Sequence, residues 1–236
     1  TANANVTITN AIGIAGPISI YAGTLNVNNS LTSTLSGAAI SLYGSAKITL
    51  AASKTIQTNA GEILFKANSG ATSAGGIELG SGSSLLSQGG NITLGGGYNG
   101  SQGNGLYAAT ATTGGAPAVY LNNTTLTAAG GNIKVYGINT TNYDDGVRIN
   151  SSSITTTGSG TIGIYGDSYG GYTSASSTSF NGITFNHGST TVQSNSGAVE
   201  IIGTLTNASN ANANGVSFFS GSSNSGTIQI LSRSGG

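Results

Sequence analysis

The chain contains no cysteine, and charged residues make up only 5% of its 236 residues. The absence of cysteine excludes disulfide scaffolds, thiolate metal sites and a thiol nucleophile. Six Lys and Arg residues balance six Asp and Glu residues, so there is no basic surface for nucleic acid and no polybasic patch for a membrane. No apolar run reaches the roughly 18 residues of a membrane-spanning helix. The sequence therefore predicts neither a nucleic-acid partner nor insertion into a membrane.

The chain is instead rich in glycine, serine, threonine and asparagine, a composition that disordered chains share, but Ile, Leu and Val recur at fixed places. These apolar residues form short alternating strands, three to a cycle, and each cycle ends in glycine. Cycles begin at Gly16, Gly37, Gly61, Gly89, Gly130, Gly160, Gly197 and Gly226. A short period of this kind, 21 residues from Gly16 to Gly37, is typical of a solenoid, in which each repeat buries its apolar face against its neighbours.

The first strand of each cycle carries two apolar residues separated by one other residue, which predicts alternate inward and outward side chains. The inward pairs are Ile18/Ile20, Ile40/Leu42, Ile63/Phe65, Ile92/Leu94, Ile133/Val135, Ile162/Ile164, Val199/Ile201 and Ile228/Ile230. The second strand repeats the pattern at Leu25/Val27, Ile48/Leu50, Ile77/Leu79, Val119/Leu121, Val147/Ile149, Ile183/Phe185 and Val216/Phe218. The third strand has a single apolar position, at Leu31, Ile56, Leu85, Leu126, Ile154 and Val192.

Asparagine follows the second strand in four cycles, at Asn28, Asn122, Asn150 and Asn186. Its short amide hydrogen-bonds to nearby backbone and tolerates left-handed conformations, and stacked amides can form a ladder along an axis. We therefore predict a structural corner at these four residues rather than a binding site.

Three strands per cycle without a helical pattern predict an all-β fold, a right-handed parallel β-helix with three faces and about seven to eight coils. Right-handedness follows the general preference of parallel crossover connections. The sequence begins and ends within the strand pattern and has no capping element, so residues 1–236 are expected to form a single segment of a longer fibre.

The three-strand pattern is interrupted at one corner of the cycle, between the first and second strands. The first two full cycles have almost no insertion there, whereas later cycles insert residues 67–75, 96–117, 137–145, 167–181 and 203–214. The insertions carry the candidate contact residues for a ligand or partner: Tyr98, Tyr107, Tyr143, Asp144, Asp145, Asp167, Tyr169 and Tyr172. Tyrosine beside Asp and Asn is typical of surfaces that bind carbohydrate or protein, although secreted loops without a partner share this composition.

Catalytic and metal-binding chemistry needs clustered carboxylates, or a histidine placed beside an orienting acid. Only Asp144, Asp145 and Asp167 are expected to meet, on neighbouring loops and with Glu78 nearby, and no basic residue or histidine attends them, so we predict neither an enzyme nor a cofactor. A calcium ion held by these three carboxylates is the remaining metal hypothesis. Arg148 is expected to form a surface ion pair, and His187, the only histidine, to be a solvated turn residue.

Two further features give structural predictions. Tyr21 and Tyr43 fall on adjacent coils, as do Tyr136 and Tyr165, so each pair is expected to stack on the outward face of the sheet. Several Asn-x-Ser/Thr sequons are present, and the one at Asn139 is the most accessible candidate for glycosylation because it lies in an insertion.

The units GGNITLGG (89–96), GGNIKVYG (130–137), DDGVRINSSSITTTGSG (144–160) and NGITFNHGSTTVQSNSG (181–197) resemble repeats of the filamentous haemagglutinin type. Proteins of this family are large exoproteins secreted by the two-partner (type Vb) route of Gram-negative bacteria. The resemblance covers nearly the whole chain, most clearly residues 89–200. It implies a right-handed β-helical rod at the cell surface, and it carries over no catalytic residue. The family's amino-terminal secretion domain has no match here, so the resemblance implies a piece of the shaft, or of a filament built by related surface proteins.

The residues and the resemblance together predict a structural or adhesive segment of a secreted surface fibre, located outside a Gram-negative cell or on its outer surface. Expected roles are adhesion, aggregation, and biofilm or filament formation. Expected partners are further β-helical coils of the same or an identical chain, and a glycan or protein on a host or bacterial surface. The alternative is a carbohydrate-active β-helix that binds or cleaves a polysaccharide along the insertion edge.

Overall fold

The computed structural model describes residues 4–67, 76–96, 108–110, 116–139, 144–168, 181–186, 188–205, 214–219 and 228–232. These residues form β-strands joined by turns and contain no helix, and hence none long and apolar enough to cross a membrane. The strands in the first half are β1 (Val6–Ile8), β2 (Ile12–Ile14), β3 (Ile18–Val27), β4 (Leu31–Ser36), β5 (Ile40–Leu50), β6 (Thr55–Asn59), β7 (Ile63–Ala67), β8 (Gly76–Leu79), β9 (Ser84–Leu86), β10 (Ile92–Gly96) and β11 (Ala108–Thr110). Those in the second half are β12 (Val119–Asn122), β13 (Thr125–Thr127), β14 (Ile133–Asn139), β15 (Val147–Asn150), β16 (Ser153–Thr156), β17 (Ile162–Ser168), β18 (Ile183–Asn186), β19 (Thr190–Ser194), β20 (Val199–Leu205), β21 (Val216–Phe219) and β22 (Ile228–Ser232).

Two sheets contain these strands, and the strand pairs in both sheets are parallel. A 14-stranded sheet holds the first and second strands of the cycles. An 8-stranded sheet, in the order β2-β4-β6-β9-β13-β16-β19-β22, holds the third strands. Apart from β11, each strand pairs with the equivalent strand of the adjacent cycle, so the cycles are stacked as levels. The described residues therefore form an all-β solenoid of parallel strands.

The first and second strands are continuous in the first two full cycles. β3 and β5 run through both positions as strands of 10 and 11 residues, with an irregularity in their pairing between Ala22 and Thr24. In the next cycle the same path is divided into β7 and β8, and both of them pair with β5. The first and second strands belong to one sheet because no chain is inserted between them in these two cycles.

The core consists of predicted inward residues stacked in register, but two residues predicted to face inward, Phe218 and Ile230, are 55% and 41% exposed. Ile40, Ile63, Ile92, Ile133 and Ile162 form one column of the 14-stranded sheet, and each is at most 1% exposed. The third strands contribute a second buried column of Leu31, Ile56, Leu85, Leu126, Ile154 and Val192. Burying each of these side chains stabilises the fold by about 1.5–3 kcal/mol relative to leaving it exposed.

The last predicted apolar pair lies at a different position from the expected one. Ile228 and Ile230 belong to β22, which pairs with β19 in the 8-stranded sheet, so they form a third strand and not a first strand. An alternating Ile-x-Ile segment fits either position, and only its pairing distinguishes the two. Since Ile230 is in register with Val192, the cycle that follows Gly197 is longer than the glycine pattern indicates.

Glycine marks the corner between the third and first strands because consecutive levels are too close there for a side chain. A Cβ on Gly90 would lie 2.0 Å from the carbonyl oxygen of Gly61, and one on Gly131 would lie 2.0 Å from that of Gly90. The column continues through Gly160 and Gly197, where the corresponding distances are 2.4 and 2.1 Å. These five residues are called the glycine corner below.

A buried hydroxyl group at the end of the third strand closes the glycine corner. The hydroxyls donate to glycine carbonyl oxygens in four places: Thr58 to Gly61 (2.6 Å), Ser87 to Gly90 (2.5 Å), Thr156 to Gly131 (2.7 Å) and Ser194 to Gly160 (2.6 Å). A buried hydroxyl left without a partner would cost about 1–3 kcal/mol. The third strand therefore has a second inward position, polar in character, which the sequence pattern does not predict.

Candidate functional site at the insertion corner

The insertion corner lies between the first and second strands, where later cycles leave and re-enter the stack. The insertions predicted at 67–75, 96–117, 137–145, 167–181 and 203–214 begin one to three residues later in the structure, because the strands continue into them. β14, β17 and β20 extend in register to Asn139, Ser168 and Leu205. β11, inside the second insertion, pairs with the end of β14. Strand pairing therefore extends the first strands of these cycles into the insertions.

Each of three insertions passes through a neck of two glycines that face each other within one level. A Cβ on Gly137 would lie 2.1 Å from the carbonyl oxygen of Gly146, and a Cβ on Gly166 would lie 2.0 Å from that of Gly182. The third neck consists of Gly203 and Gly215, where the distance is 1.8 Å. The two arms of each insertion therefore leave the stack with their backbones in contact, whatever number of residues lies between them.

An Asp or Asn precedes the second glycine of each neck, and these residues are linked from level to level. The backbone N–H of Asn181 donates to Asp145 Oδ1 over 2.8 Å, and the backbone N–H of Asn214 donates to Asn181 Oδ1 over 2.9 Å. Asn181 Nδ2 donates to Thr184 Oγ1 over 3.0 Å, which orients the amide. Such bonds satisfy backbone donors that are not part of a strand pair. This Asx ladder holds the returning arms of three consecutive insertions in register.

Asp144, Asp145 and Arg148 form an ion-pair cluster where the insertion at 137–145 returns to the stack. Arg148 Nε donates to Asp145 Oδ2 over 2.8 Å, and its Nη2 donates to Asp144 Oδ1. Asp144 Oδ1 also accepts the backbone N–H of Asp145 over 2.7 Å. The aspartate side chains are 5% and 1% exposed, against 28% for the arginine. Two carboxylates removed from water therefore depend on one guanidinium.

The protonation equilibria of the cluster reflect this burial. Burial raises the pKa of Asp144 above its ordinary value, although Arg148 and the backbone N–H of Asp145 act to lower it. For Arg148, burial acts to lower the pKa, but Asp145 and Asp144 together reverse that effect and leave the pKa raised. The arginine is therefore held in its charged form, and its charge compensates the desolvation of the carboxylates.

Polar side chains continue from this cluster along the second strands. Glu78, Tyr120 and Arg148 are in register on β8, β12 and β15 and alternate with buried apolar residues, so all three face outward. Lys47 Nζ donates to Glu78 Oε2 over 2.6 Å, and Asn150 Nδ2 donates to the Tyr120 hydroxyl over 2.9 Å. Glu78, Tyr120 and Arg148 are called the polar row below.

The predicted contact residues divide into two groups. Five of them lie outside the described residues: Tyr98, Tyr107, Tyr143, Tyr169 and Tyr172. The other three, Asp144, Asp145 and Asp167, are 3%, 1% and 4% exposed, so they are buried and not displayed at a contact surface. The prediction that no basic residue attends these carboxylates is wrong, because Arg148 forms ion pairs with two of them.

The geometry gives no support to the calcium hypothesis for Asp144, Asp145 and Asp167. The described residues contain no group of three or more Asp, Glu or His side chains that could hold a metal ion. Asp144 and Asp145 each direct an oxygen atom at Arg148, which takes the position that a cation would need. His187 lies outside the described residues.

The predicted asparagine corner consists of strand ends. Asn122, Asn150 and Asn186 are the last residues of β12, β15 and β18 and are in register on three consecutive levels. Asn28 directly follows β3, and its backbone N–H donates to Ile8 O over 3.0 Å, at a level remote from the other three.

The left-handed backbone at this corner falls on the residue after the asparagine. Asn123 and Ser151 have φ values of 50° and 44°, whereas Asn122 and Asn150 are in strands. The amides do not form the expected ladder, because Asn150 Nδ2 donates to Tyr120 and the Oδ1 atoms of Asn150 and Asn186 have no partner among the described residues. Strand register and the left-handed residue close the corner instead.

The predicted tyrosine stacking is confirmed. The ring centroids of Tyr21 and Tyr43 are 4.3 Å apart, and those of Tyr136 and Tyr165 are 4.9 Å apart, with nearly parallel planes. Asn139, in contrast, is the last residue of β14 and is 1% exposed, so the prediction that its sequon is accessible is wrong. The strand extension that buries it is a tertiary effect of pairing with β11 and β17.

Sequence reasoning missed the Asx ladder and the polar row. The ladder has a sequence signal, because Asp-Gly at 145–146 and Asn-Gly at 181–182 and 214–215 each stand directly before a second strand. The polar row has none, since Glu78, Tyr120 and Arg148 belong to three different cycles and meet only through strand register.

No protein-family model matches the chain, no curated protein matches it, and no solved structure matches it. The resemblance to filamentous haemagglutinin repeats therefore stays a prediction from the sequence. The residues and their geometry establish an all-β solenoid of parallel strands with a cluster of ionisable side chains at its insertion corner.

Proposed function

We propose that this chain is a structural or adhesive segment of a secreted bacterial surface fibre, in the form of a right-handed, three-faced parallel β-helix. The observation that supports the proposal most is the register of the third strands, which pair in an unbroken series from β2 to β22. With levels about 4.8 Å apart, such a stack gains length by repetition alone. The handedness rests on the general preference of parallel crossovers.

The proposed mechanism is mechanical. Each level buries its apolar residues against its neighbours, which supplies length and stiffness without a separate core. The insertion edge offers a lateral contact surface for a glycan or protein of a host or bacterial cell, and further coils extend the rod. The proposed location is outside a Gram-negative cell or on its outer surface. The proposal includes no catalysis, no cofactor, no nucleic acid and no membrane insertion.

The proposal is tested by displaying the chain on a non-adherent Gram-negative strain and measuring aggregation and attachment to epithelial cells. The matched control displays the same chain with residues 206–213 replaced by a short Gly-Ser linker, which keeps β20, the glycine neck and Asn214. We expect display to raise attachment or aggregation several-fold over the carrier alone. No change in either would contradict the adhesive role. Electron micrographs of the purified chain test the structural role, which round particles in place of short rods would contradict.

A second candidate function, a carbohydrate-active β-helix, is favoured by the outward polar row beside the insertions. Binding is better supported than cleavage, because Asp144 and Asp145 are buried and both are engaged by Arg148. Neither carboxyl group is then free to protonate a leaving group. Release of reducing sugar from a polysaccharide by the purified chain would favour this candidate over the fibre segment.

A further inference from the structure

The polar row differs in composition from the outward positions around it. Charged residues make up only 5% of the chain, yet Lys47, Glu78, Asp144, Asp145 and Arg148 lie together on neighbouring levels. The outward residues that continue the same column on either side are neutral: Asn26, Thr49, Thr184 and Ser217. Stacking of the levels does not require ionisable groups at outward positions, since the neighbouring levels stack without them.

Each member of the polar row is held by a partner that leaves part of its hydrogen-bonding capacity unused. Lys47 engages Oε2 of Glu78, which leaves Oε1 as an acceptor. Asn150 donates to the Tyr120 hydroxyl, which leaves the hydroxyl hydrogen as a donor. The two buried aspartates engage Nε and Nη2 of Arg148, which leaves both N–H groups of Nη1 as donors. The row therefore presents one acceptor atom and two donor groups that are each held by a hydrogen-bonded partner, which lowers the entropic cost of binding a ligand.

The spacing and charge of the row point to one class of ligand. Adjacent parallel strands are about 4.8 Å apart, so an acceptor, an aromatic ring with a donor, and a second donor follow each other over about 10 Å. Sugar hydroxyls both donate and accept, and the C–H faces of a sugar ring pack on aromatic rings. The ionised groups of the cluster carry one negative charge in excess, which disfavours acidic sugars and phosphates.

We infer that the polar row is a binding site for a neutral oligosaccharide. Glu78 Oε1 accepts from a sugar hydroxyl, the Tyr120 hydroxyl and Arg148 Nη1 donate to others, and the Tyr120 ring packs against the sugar. Lys47, Asn150 and the two aspartates act as positioning residues for these three. The site deepens the proposed adhesive function, because it gives the lateral surface a definite ligand chemistry.

The experiment is a titration of the purified full chain with cellohexaose, maltohexaose and mannohexaose, followed by amide chemical-shift changes and by calorimetry. Hexagalacturonate serves as the acidic probe. We expect at least one neutral hexasaccharide to bind with a dissociation constant of about 1 mM or below. Shift changes are expected at residues 77–79, 119–121 and 147–149.

Matched variants decide whether the polar row carries the binding. Glu78→Ala is expected to weaken it about tenfold, as the loss of one charge-assisted hydrogen bond predicts, and Tyr120→Phe is expected to weaken it about threefold. The controls are Glu200→Ala and Tyr165→Phe, which remove a second outward tyrosine–carboxylate pair that lies on the first strands. Binding by the controls is expected to equal that of the unmodified chain.

Three results would overturn the inference. The first is no saturable binding of any neutral hexasaccharide up to 10 mM, a concentration that corresponds to a binding free energy of about 3 kcal/mol. The second is a loss of binding in the control variants equal to that in Glu78→Ala and Tyr120→Phe. The third is binding of hexagalacturonate alone. Circular dichroism of each variant shows whether it keeps its strand content. A displayed chain that promotes attachment while binding none of the hexasaccharides would refute this site and leave the fibre function in place.

Discussion

At the glycine corner, the carbonyl oxygen that excludes a side chain belongs to the preceding level, as with Gly90 and Gly61. At the insertion corner it belongs to the other arm of the same level, as with Gly166 and Gly182. The first contact runs along the axis and recurs from Gly61 to Gly197. The second joins the two arms of one insertion within a single level, so insertions of different length pass through similar necks.

The two corners also differ in the kind and position of their polar groups. Hydroxyls such as that of Thr156 lie inside the glycine corner and bond to glycine carbonyl oxygens. At the insertion corner the polar groups are carboxylates, amides and a guanidinium. The Asx ladder links successive levels, whereas Arg148 bonds to Asp144 and Asp145 of its own level. The glycine corner therefore sets the close approach of successive levels, whereas the ionisable groups gather at the insertion corner.

The largest expected effect comes from placing a side chain in the glycine corner. In Gly90→Ala the new Cβ meets the backbone of Gly61, which has no rotamer by which to move away, so the free energy of unfolding should fall by about 4 kcal/mol. Gly16→Ala is the matched control, since a Cβ there has nothing within 4 Å. Urea denaturation measures both variants. Equal losses of unfolding free energy in the two variants would mean that the steric contact between Gly90 and Gly61 has no effect on stability.

Removing the guanidinium tests the insertion corner. Arg148→Met leaves Asp144 and Asp145 buried without a counter-charge, and we expect a loss of about 2–3 kcal/mol at neutral pH because the arginine is partly exposed. The variant should recover stability as the pH falls. A carboxyl group whose pKa is raised in the folded state stabilises that state at pH values below the raised pKa, and loss of Arg148 raises the pKa of Asp144 further.

The control for this prediction is the triple variant that also carries Asp144→Asn and Asp145→Asn. It should lie closer in stability to the unmodified chain than Arg148→Met does, because no uncompensated charge remains. A single variant as stable as the unmodified chain at pH 7 would show that the cluster makes no net contribution to holding the insertion arm.

A smaller effect is expected from the hydroxyls of the glycine corner. Thr156→Val keeps the shape of the side chain but removes the bond to Gly131 O, so we expect a loss of about 1 kcal/mol in urea denaturation. Thr125→Val, at an outward position of the 8-stranded sheet, is the control and should change stability by less than about 0.5 kcal/mol. A loss no larger than that of the control would mean that the hydroxyl does not close the corner.

The smallest effect concerns Tyr136, beside the insertion corner. Burial, with a further contribution from Glu200, raises the pKa of this tyrosine above its ordinary value. The folded state then holds the proton more tightly than the unfolded state, so the stabilisation is complete below about pH 10 and is lost as the pH rises through the folded pKa. Tyr136→Phe should lose less stability than the unmodified chain as the pH rises above about 10. Identical alkaline unfolding curves would contradict this.

Much of the stack is predictable because it depends on periodic apolar residues. Ile63, Phe65 and Ile77 are recognisable as inward residues from alternation alone, and each is at most 1% exposed. Ile228 and Ile230 show the limit of this reasoning, since a first strand and a third strand have the same local pattern. Their place is decided by pairing with β19, which is a contact between distant parts of the chain.

The candidate site is less predictable for a similar reason. Asp144 and Asp145 are recognisable from the sequence as candidates, but their burial and their pairing with Arg148 depend on how the insertion returns to the stack. Tyr120 has no sequence signal, because its neighbours Glu78 and Arg148 come from the preceding and following cycles. Polar residues without periodicity can be grouped only when the register of the strands is known.

The alternation of inward and outward residues, the period marked by glycine, and the corner at which insertions occur follow from the amino-acid sequence alone. These are local properties, because the geometry of an extended strand and the steric freedom of glycine depend on few neighbouring residues. The tertiary structure alone decided which glycines are sterically required, which hydroxyls and carboxylates are buried, and which polar side chains form a row. Those properties depend on the contact between levels, which brings together residues that are far apart in the chain.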